Sequence, residues 1–198
     1  MGTRRYIIKT ALGLFISKSY KAVTMSDLEK ATGLTKGAFY HHFKNKEELF
    51  VEVIDTYYLS KDFFDNKDLL NYGTLKQNFE YLLSQIEGEV ERLKEFTKKE
   101  IVDPYLFLLI IEAREYYPDF IQKANEKEMC LFRKWEQIIL RSKENTEIRR
   151  DLDTTILVQN IIAIENSLMK SFFKEKPLDY SLSILKLQID QFYSLIKV

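Results

Sequence analysis

Glycine and proline are scarce in this chain, and their scarcity limits the folds open to it. Only six glycines and three prolines occur among 198 residues. A fold of many strands needs frequent tight turns, which these two residue types supply most readily. Apolar residues instead recur every three or four positions, and one such series is Leu75, Phe79, Leu82, Leu83 and Ile86. Because this spacing places them on one face of a helix, the sequence predicts an all-α protein.

The composition indicates a globular protein of the cytoplasm. Hydrophobic residues make up 45% of the chain and aromatic residues 14%, enough to form a sizeable core. The single cysteine, Cys130, has no partner in the chain for a disulfide, which fits a reducing compartment. No apolar run approaches the roughly 20 residues of a membrane span. We therefore expect a cytoplasmic location and no association with membranes.

The net charge of zero conceals a strong asymmetry along the chain. Residues 1–46 contain nine lysines and arginines and two acidic residues, a net charge of +7, and the remainder carries −7. A basic head on an acidic body suggests a polyanionic partner at the head. The competing interpretation is a solvated basic surface with no binding partner.

Helix boundaries are readable from capping residues. Short polar side chains that can accept backbone N–H groups mark the starts of four N-terminal helices: Thr3, Thr24 with Asp27, Thr35, and Asn45 with Glu48. Gly33 is expected to end the second helix in a left-handed conformation. The third helix, ending at His42, spans only about two turns. Further helices are predicted from residue 75 onward, and the last two are expected at residues 154–175 and 178–197.

The stretch between Gly33 and His42 does not fit enzyme chemistry. A Walker-type phosphate loop needs four residues between its glycines and a preceding strand, whereas Gly33 and Gly37 enclose three. His41 and His42 are adjacent, so on a helix their side chains diverge by about 100° and make a poor metal site. Cys130 lies far along the chain, with no pattern that joins it to a histidine. The sequence therefore predicts no enzyme activity, no metal and no cofactor.

DNA reading fits the same stretch. Two short helices joined at Gly33 form a helix-turn-helix, whose second helix enters the major groove. The inner face of this motif is predicted to comprise Leu28, Leu34, Phe39 and Phe43, and the outer face Lys36, Gly37, Tyr40 and His41. Lys46 stands at the start of the fourth helix, where backbone N–H groups favour a phosphate.

The N-terminal residues as a set resemble the TetR family of bacterial transcriptional regulators. The resemblance runs from Arg4 to Phe50 and includes Ala11, Phe15, Tyr20, Thr24-Met25, Asp27-Leu28, Gly33 to Gly37, Phe39-Tyr40, Phe43 and Lys44 to Leu49. It implies a homodimeric repressor with a DNA-binding domain at 1–47, a fourth helix from about 46 as the link, and a ligand-binding and dimerisation domain at 48–198. It also implies that the residues contacting an operator are Thr24, Thr35, Lys36, Gly37, Tyr40, His41 and Lys46.

Three residues depart from the family pattern. Ser19 stands where the family usually has glycine, and Glu29 and Thr32 stand where it usually has alanine. We therefore expect helix one to end with backbone strain or with a different turn. Glu29 is expected to need a cationic partner or solvent if it faces the recognition helix.

A small-molecule effector is expected in the body, between about residue 75 and residue 172. The candidate lining residues are Phe79, Leu83, Phe107, Ile111, Trp135 and Glu165. Core packing is the competing interpretation for each apolar member of this set. Glu165 interrupts an apolar run, and its alternatives are a ligand acceptor, a solvated charge and a charge at a dimer edge.

The last two helices carry two apolar stripes each, where one suffices to pack a helix on its own domain. The second stripes, together with Phe192 from the first stripe of the last helix, predict a dimer interface made of Val158, Ile162, Met169, Ile184, Leu187, Phe192 and Leu195. The competing interpretation is that these stripes pack against the long helices of the same chain. A ligand-independent architectural or protein–protein interaction factor would use the same basic head and remains the alternative function.

Overall fold

The structure confirms the all-α class. The computed structural model describes residues 2–59, 73–97, 105–168 and 177–198, with the side chains of 89, 92–97 and 105–107 left aside. Within these residues lie nine α-helices: α1 (Thr3–Lys18), α2 (Met25–Thr32), α3 (Lys36–His42), α4 (Lys46–Ile54), α5 (Leu75–Thr97), α6 (Tyr105–Tyr116), α7 (Phe120–Glu144), α8 (Thr154–Asn166) and α9 (Leu178–Ile196). A π-helical turn, Asp55–Leu59, follows α4. No helix of the described residues has both the length and the apolar character needed to cross a bilayer.

The chain divides into two compact units. The first comprises Met1–Phe63 and Asp103–Asn125, and the second comprises Phe64–Val102 and Glu126–Val198. The first unit thus contains α1 to α4, the π-helical turn and α6. It is larger than the DNA-binding domain of residues 1–47 that the motif predicts, because α4 and α6 both pack against α1.

Capping side chains set the starts of the short helices. Thr24 forms a complete capping box with Asp27, Thr35 accepts the N–H of Ala38, and Asn45 accepts the N–H of Glu48. These bonds satisfy backbone donors that the first turn of a helix leaves free. The start of α1 differs from the predicted boundary, whereas the end of α2 agrees with it. The residue that precedes α1 is Gly2, so Thr3 is its first helical residue and not its cap, and Gly33 ends α2 at φ 68° as predicted.

Aromatic rings dominate the core of the first unit. The ring of Phe15 packs edge-on against Tyr20 and Phe50, with centroid distances of 5.5 and 5.6 Å. Such pairs add about 0.5–1.5 kcal/mol beyond the burial of their area. Around them lie the apolar residues of α1 and of the helix-turn-helix, all buried: Ile7, Ile8, Ala11, Leu12, Ile16, Leu28, Phe39 and Phe43.

The core of the second unit is built around Trp135. Its ring lies 5.6 Å from that of Phe79, and both belong to a buried cluster with Ile138, Ile139, Leu157, Val158, Leu185 and Ile189. One carboxylate ties three segments of this unit together. Glu147 accepts the backbone N–H groups of Leu75 and Lys76, at 2.8 and 3.1 Å, and the hydroxyl of Tyr193. The start of α5 is therefore capped from the loop between α7 and α8.

Helix α1 ends in a strained conformation, one of the two outcomes expected from the departure from glycine at Ser19. Ser19 has φ 71° and ψ 155°, a region that residues with a Cβ rarely adopt. Thr32, the other buried departure, is accommodated because its hydroxyl donates to the carbonyl of Leu28 at 2.7 Å. Glu29 is partly exposed on α2.

Relief of this strain is testable by Ser19→Gly. We expect the free energy of unfolding to rise by about 1 kcal/mol, because glycine adopts this conformation without the Cβ conflict. Thermal unfolding measures the change. Ser17→Gly, inside the last turn of α1 where φ is ordinary, is the matched control and should lower the stability by about 0.5–1 kcal/mol. A lower stability of the Ser19→Gly variant would contradict the assignment of strain.

Glu165 gives the second unit a testable pH dependence. Its Oε1 accepts the indole N–H of Trp135 at 2.9 Å. Although the residue as a whole is half-buried, desolvation of the carboxyl group raises its pKa from 4.5 to about 8. As the pH rises, Glu165 therefore loses its proton in the unfolded chain before it does so in the folded chain. The stability contributed by this group is fully present below about pH 4.5 and is lost as the pH rises through about 8.

Glu165→Gln removes this titration while keeping an acceptor for Trp135. We expect the melting temperature of the variant, relative to the unsubstituted protein, to increase steadily between about pH 5 and about pH 9. The difference between the two proteins isolates this group, because other titrations are common to both. A difference that stays constant with pH would show that Glu165 ionises normally.

Candidate nucleic-acid interface

Helix α3 presents the predicted outer residues on one exposed face. Thr35, Lys36, Gly37 and His41 are exposed, and Tyr40 is 41% exposed. On the opposite face Phe39 is completely buried, which anchors this helix of seven residues. The ammonium group of Lys36 lies 6.0 Å from the centre of the Tyr40 ring. The structure therefore brings together a cation, a phenol, an imidazole and a bare backbone on one surface.

Gly37 is notable because the fold itself does not require a glycine there. Its φ lies in the ordinary range, and an added Cβ would meet no atom within 4 Å. Gly33, in contrast, needs its positive φ of 68° to end α2. Gly37 lowers the helix propensity of α3 and relieves no contact within the protein. The space beside its backbone is therefore open to the close approach of another molecule.

Thr24 uses its hydroxyl group inside the capping box. Its Oγ1 donates to Asp27 Oδ2 at 2.5 Å and accepts the N–H of Asp27 at 3.2 Å. These bonds to the side chain and backbone of Thr24 lower the pKa of Asp27 to about 2. The residue is exposed at the start of α2, so any contact with DNA would rely on its methyl group, backbone or remaining lone pair.

Lys46 is placed differently from the phosphate contact that the sequence predicts. Its ammonium group points at the loop between α1 and α2, where it donates to the carbonyls of Tyr20 and Val23 at 3.0 and 2.9 Å. It also lies 4.3 Å from the centre of the Tyr20 ring. The motif located the residue at the start of α4, but sequence spacing does not reveal the direction of a long flexible side chain.

Glu112, on α6, binds the same loop and was missed by the sequence analysis. Its carboxylate accepts the N–H of Tyr20 at 2.8 Å and the N–H of Lys21 at 3.1 Å. The side chain is buried. The available signal was a single carboxylate directly after an apolar run, since a buried carboxylate needs donors.

A second polar cluster joins α6 and α7 to the π-helical turn. The hydroxyl of Tyr117 donates to Asp55 Oδ1 at 2.8 Å, and Lys123 donates to both Asp55 and Tyr117. Burial raises the pKa of Tyr117, so its hydroxyl keeps its proton for this bond. Residues so far apart in the sequence gave no recognisable spacing.

Part of the basic charge of the head serves the fold. Arg4 donates to the carbonyl of His42 at 2.8 Å and pairs with Glu52 at 3.0 Å, and its guanidinium lies over the Phe43 ring. Lys18 pairs with Asp27 at 3.5 Å. The exposed cations that accompany the α3 surface include Lys21, Lys30, Lys36 and Lys44.

The predicted effector residues separate into different surroundings. Phe79, Leu83 and Trp135 are buried in the core of the second unit, and Glu165 bonds to Trp135 there. Ile111 belongs to the first unit, and its side chain is 52% exposed. Phe107 lies on α6, and its side chain is outside the described residues. A separate open groove of about 360 Å³ runs along α7 beside Glu126, Met129, Cys130, Arg133, Lys134 and Gln137.

The predicted dimer residues likewise differ in exposure. Val158 is completely buried in the core of its own unit, so the single chain presents no surface of this side chain to a partner. Ile162 and Phe192 are partly buried against the same core, and Met169 lies outside the described residues. On α9, Ile184, Leu187 and Leu195 are exposed at 38%, 62% and 65%. Among the predicted interface residues that the structure describes, these three are the exposed ones, and they lie along one side of α9.

Comparison with known proteins shows what the N-terminal helices are similar to. The family model described as bacterial regulatory proteins of the tetR family matches residues 7–53, which span α1 to α4. The TetC protein of transposon Tn10 from Escherichia coli is 36% identical over 92 residues, covering 42% of this chain and 44% of that protein. YerO, an HTH-type transcriptional regulator of Bacillus subtilis, is 28% identical over 156 residues, covering 79% of this chain and 52% of YerO. The matches thus span about half the length of these relatives.

The likeness in fold extends over the whole chain. The crystal structure of a TetR-family transcriptional regulator from Cytophaga hutchinsonii superimposes with a TM-score of 0.72 at 24% identity, covering 99% of this chain and 95% of that one. At this identity the likeness concerns the fold alone. Residues 7–53 thus match the helix-turn-helix model of the tetR family, and the whole chain is similar in fold to TetR-family transcriptional regulators.

Proposed function

We propose that this protein is a DNA-binding transcriptional repressor that inserts α3 into the major groove of an operator. The observation that carries the proposal is the exposed face of α3, where Gly37 leaves the backbone bare for no internal reason. Around it, Lys36 offers a cation to phosphate, and Tyr40 and His41 offer groups to phosphates or base edges. Thr35, at the start of the helix, supplies a hydroxyl beside the first backbone N–H groups.

The excess of positive charge supports the same partner. Residues 1–46 carry a net charge of +7 on a chain that is neutral overall. A repressor gains most of its non-specific affinity from such cations through release of counterions. The acidic remainder of the chain would be repelled by DNA, which favours binding through the head.

We propose that the functional form is a homodimer built on α8 and α9. Ile184, Leu187 and Leu195 form an exposed apolar stripe on α9, and such a stripe on two copies can pair around a two-fold axis. Two heads held about one turn of DNA apart would bind the two halves of a palindrome together. Each head is small, so single binding is expected to be weak.

Release by a small-molecule effector is the remaining part of the proposal. Its support is the polar pair of Trp135 and Glu165 inside an otherwise apolar region of the second unit. A carboxyl group in such surroundings suits a polar effector with which it shares hydrogen bonds, or a cationic effector whose binding removes its proton. The ligand-independent alternative predicts an operator affinity that no compound in a screen alters.

The direct test is selection of bound duplexes from a random DNA pool by the full-length chain, followed by binding of Gly37→Ala to the selected sequence. We expect this variant to lose on the order of tenfold in affinity, because the added methyl group meets the DNA. We also expect it to gain about 0.5–1 kcal/mol in stability, because alanine favours the helix. Fluorescence anisotropy and thermal unfolding measure the two effects.

Gly33→Ala is the matched control for that experiment. It should lower the stability by about 1 kcal/mol, because the position requires a positive φ. Well below its melting temperature it should bind the selected duplex nearly as tightly as the unsubstituted chain. The proposal fails if no sequence is enriched from the pool, or if Gly37→Ala binds with unchanged affinity.

The dimer is tested by Leu187→Glu, at a position 62% exposed in the single chain. We expect sedimentation velocity to show a monomer at micromolar concentration, with a large loss of operator affinity, while the helical content is retained. Phe192 is a less suitable position for such a substitution, because its side chain packs against the core of the second unit. The control is Ile121→Glu, an exposed apolar position on α7 that should leave the assembly unchanged. A monomeric unsubstituted protein would refute this part of the proposal.

A further inference from the structure

We propose that Lys46 and Glu112 are positioning residues for DNA binding, which hold the peptide group between Tyr20 and Lys21 from opposite sides. The inference rests on the proposed DNA-binding function and deepens it. It assigns to Lys46 no direct contact with phosphate. It also makes α6, a helix outside the matched helix-turn-helix, part of the machinery that sets the head.

The geometry of a single peptide group carries the inference. The carbonyl oxygen of Tyr20 accepts a hydrogen bond from the ammonium group of Lys46 at 3.0 Å. The N–H of Lys21, in the same peptide group, donates to Glu112 Oε1 at 3.1 Å. A cation at the oxygen and an anion at the hydrogen polarise the peptide in the same direction. Each bond therefore strengthens the other.

The loop needs such bonds because it begins in strain. Ser19, the residue before Tyr20, has φ 71°. A conformation of this kind persists only where the surroundings determine it strongly. Glu112 Oε2 also accepts the N–H of Tyr20 at 2.8 Å. Glu112 of α6 thus fixes the first part of the loop between α1 and α2.

The same bonds reach the start of α2. A second bond from Lys46 goes to the carbonyl of Val23 at 2.9 Å. The next residue, Thr24, is the N-cap of α2 and a predicted DNA contact. Lys46 therefore joins both ends of the loop to α4, and a displacement of this loop would move the first turn of α2.

The surroundings of Lys46 argue against a role at phosphate. Its ammonium group makes two bonds to carbonyls and lies 4.3 Å from the centre of the Tyr20 ring. Turning the side chain toward DNA would break these contacts and leave two partly buried carbonyls without this donor. Lys36 has no such cost, because its side chain is already exposed on α3.

The first measurement is the salt dependence of binding by the full-length chain to the duplex it selects from a random pool. For Lys36→Met we expect the slope of log affinity against log salt to fall by about one, as for a lost phosphate contact. For Lys46→Met we expect a loss on the order of tenfold at every salt concentration, with the slope unchanged. A fall of about one for Lys46→Met would overturn the proposal.

The second measurement is amide hydrogen exchange at Tyr20 and Lys21 without DNA. Lys46→Met and Glu112→Gln should each accelerate exchange at both amides on the order of tenfold. The double variant should accelerate it by less than the product of the two factors, because both bonds serve one peptide group. Unchanged exchange in either single variant would overturn the proposal, and so would fully multiplicative effects.

Two controls separate positioning from loss of the fold. Thermal unfolding shows whether each variant is folded at the assay temperature, and Glu112→Gln carries the test if Lys46→Met is not. Lys46→Arg keeps donors for the carbonyls and should recover most of the affinity. If the unsubstituted chain selects no duplex, the proposed function and the DNA part of this inference fail together, whereas the exchange data alone decide whether the pair holds the loop.

Discussion

A carboxylate that accepts two consecutive backbone N–H groups is the interaction on which each compact unit depends, and it is buried in the first unit and partly buried in the second. In the first unit Glu112 binds the N–H groups of Tyr20 and Lys21. In the second, Glu147 binds those of Leu75 and Lys76. Both arrangements satisfy donors that lie where a helix ends or begins, which a solely apolar core would leave unpaired. Segments far apart in the sequence are thereby held by directional hydrogen bonds, whereas apolar packing alone tolerates small displacements of one helix along another.

The positive charge of the head serves two purposes. Arg4 and Lys46 are bound to carbonyls, aromatic rings or a carboxylate within the unit. Lys36 and the other exposed lysines instead face solvent near α3. Charge counted along the sequence therefore overstates the cations available to a polyanion. The bound cations contribute indirectly, since they set the conformation of the surface that the exposed ones occupy.

The second unit combines a close-packed core with one carboxyl group of unusual chemistry. Trp135 is fully buried and its indole N–H is satisfied by Glu165. With a pKa of about 8, this carboxyl group is largely neutral near pH 7 and has a proton to donate. A neutral acid beside an indole can exchange hydrogen bonds with a polar molecule at smaller cost than a buried carboxylate. This property is the chemical feature of the described part of that unit on which the proposed effector site rests.

The sequence alone determined the helical class, the caps at Thr24, Thr35 and Asn45 and the left-handed end of α2, because each depends on neighbours within four residues. For the end of α1 it left strain and a different turn open, and the structure has Ser19 at φ 71°. The sequence also determined which face of α3 is exposed, because apolar residues at helical spacing mark the buried face. The tertiary structure decided the direction of Lys46, the partner of Glu112, the burial of Val158 and the bond between Trp135 and Glu165. These depend on contacts between residues 26 to 92 positions apart, or on how one helix face meets its neighbours, and no local pattern encodes them.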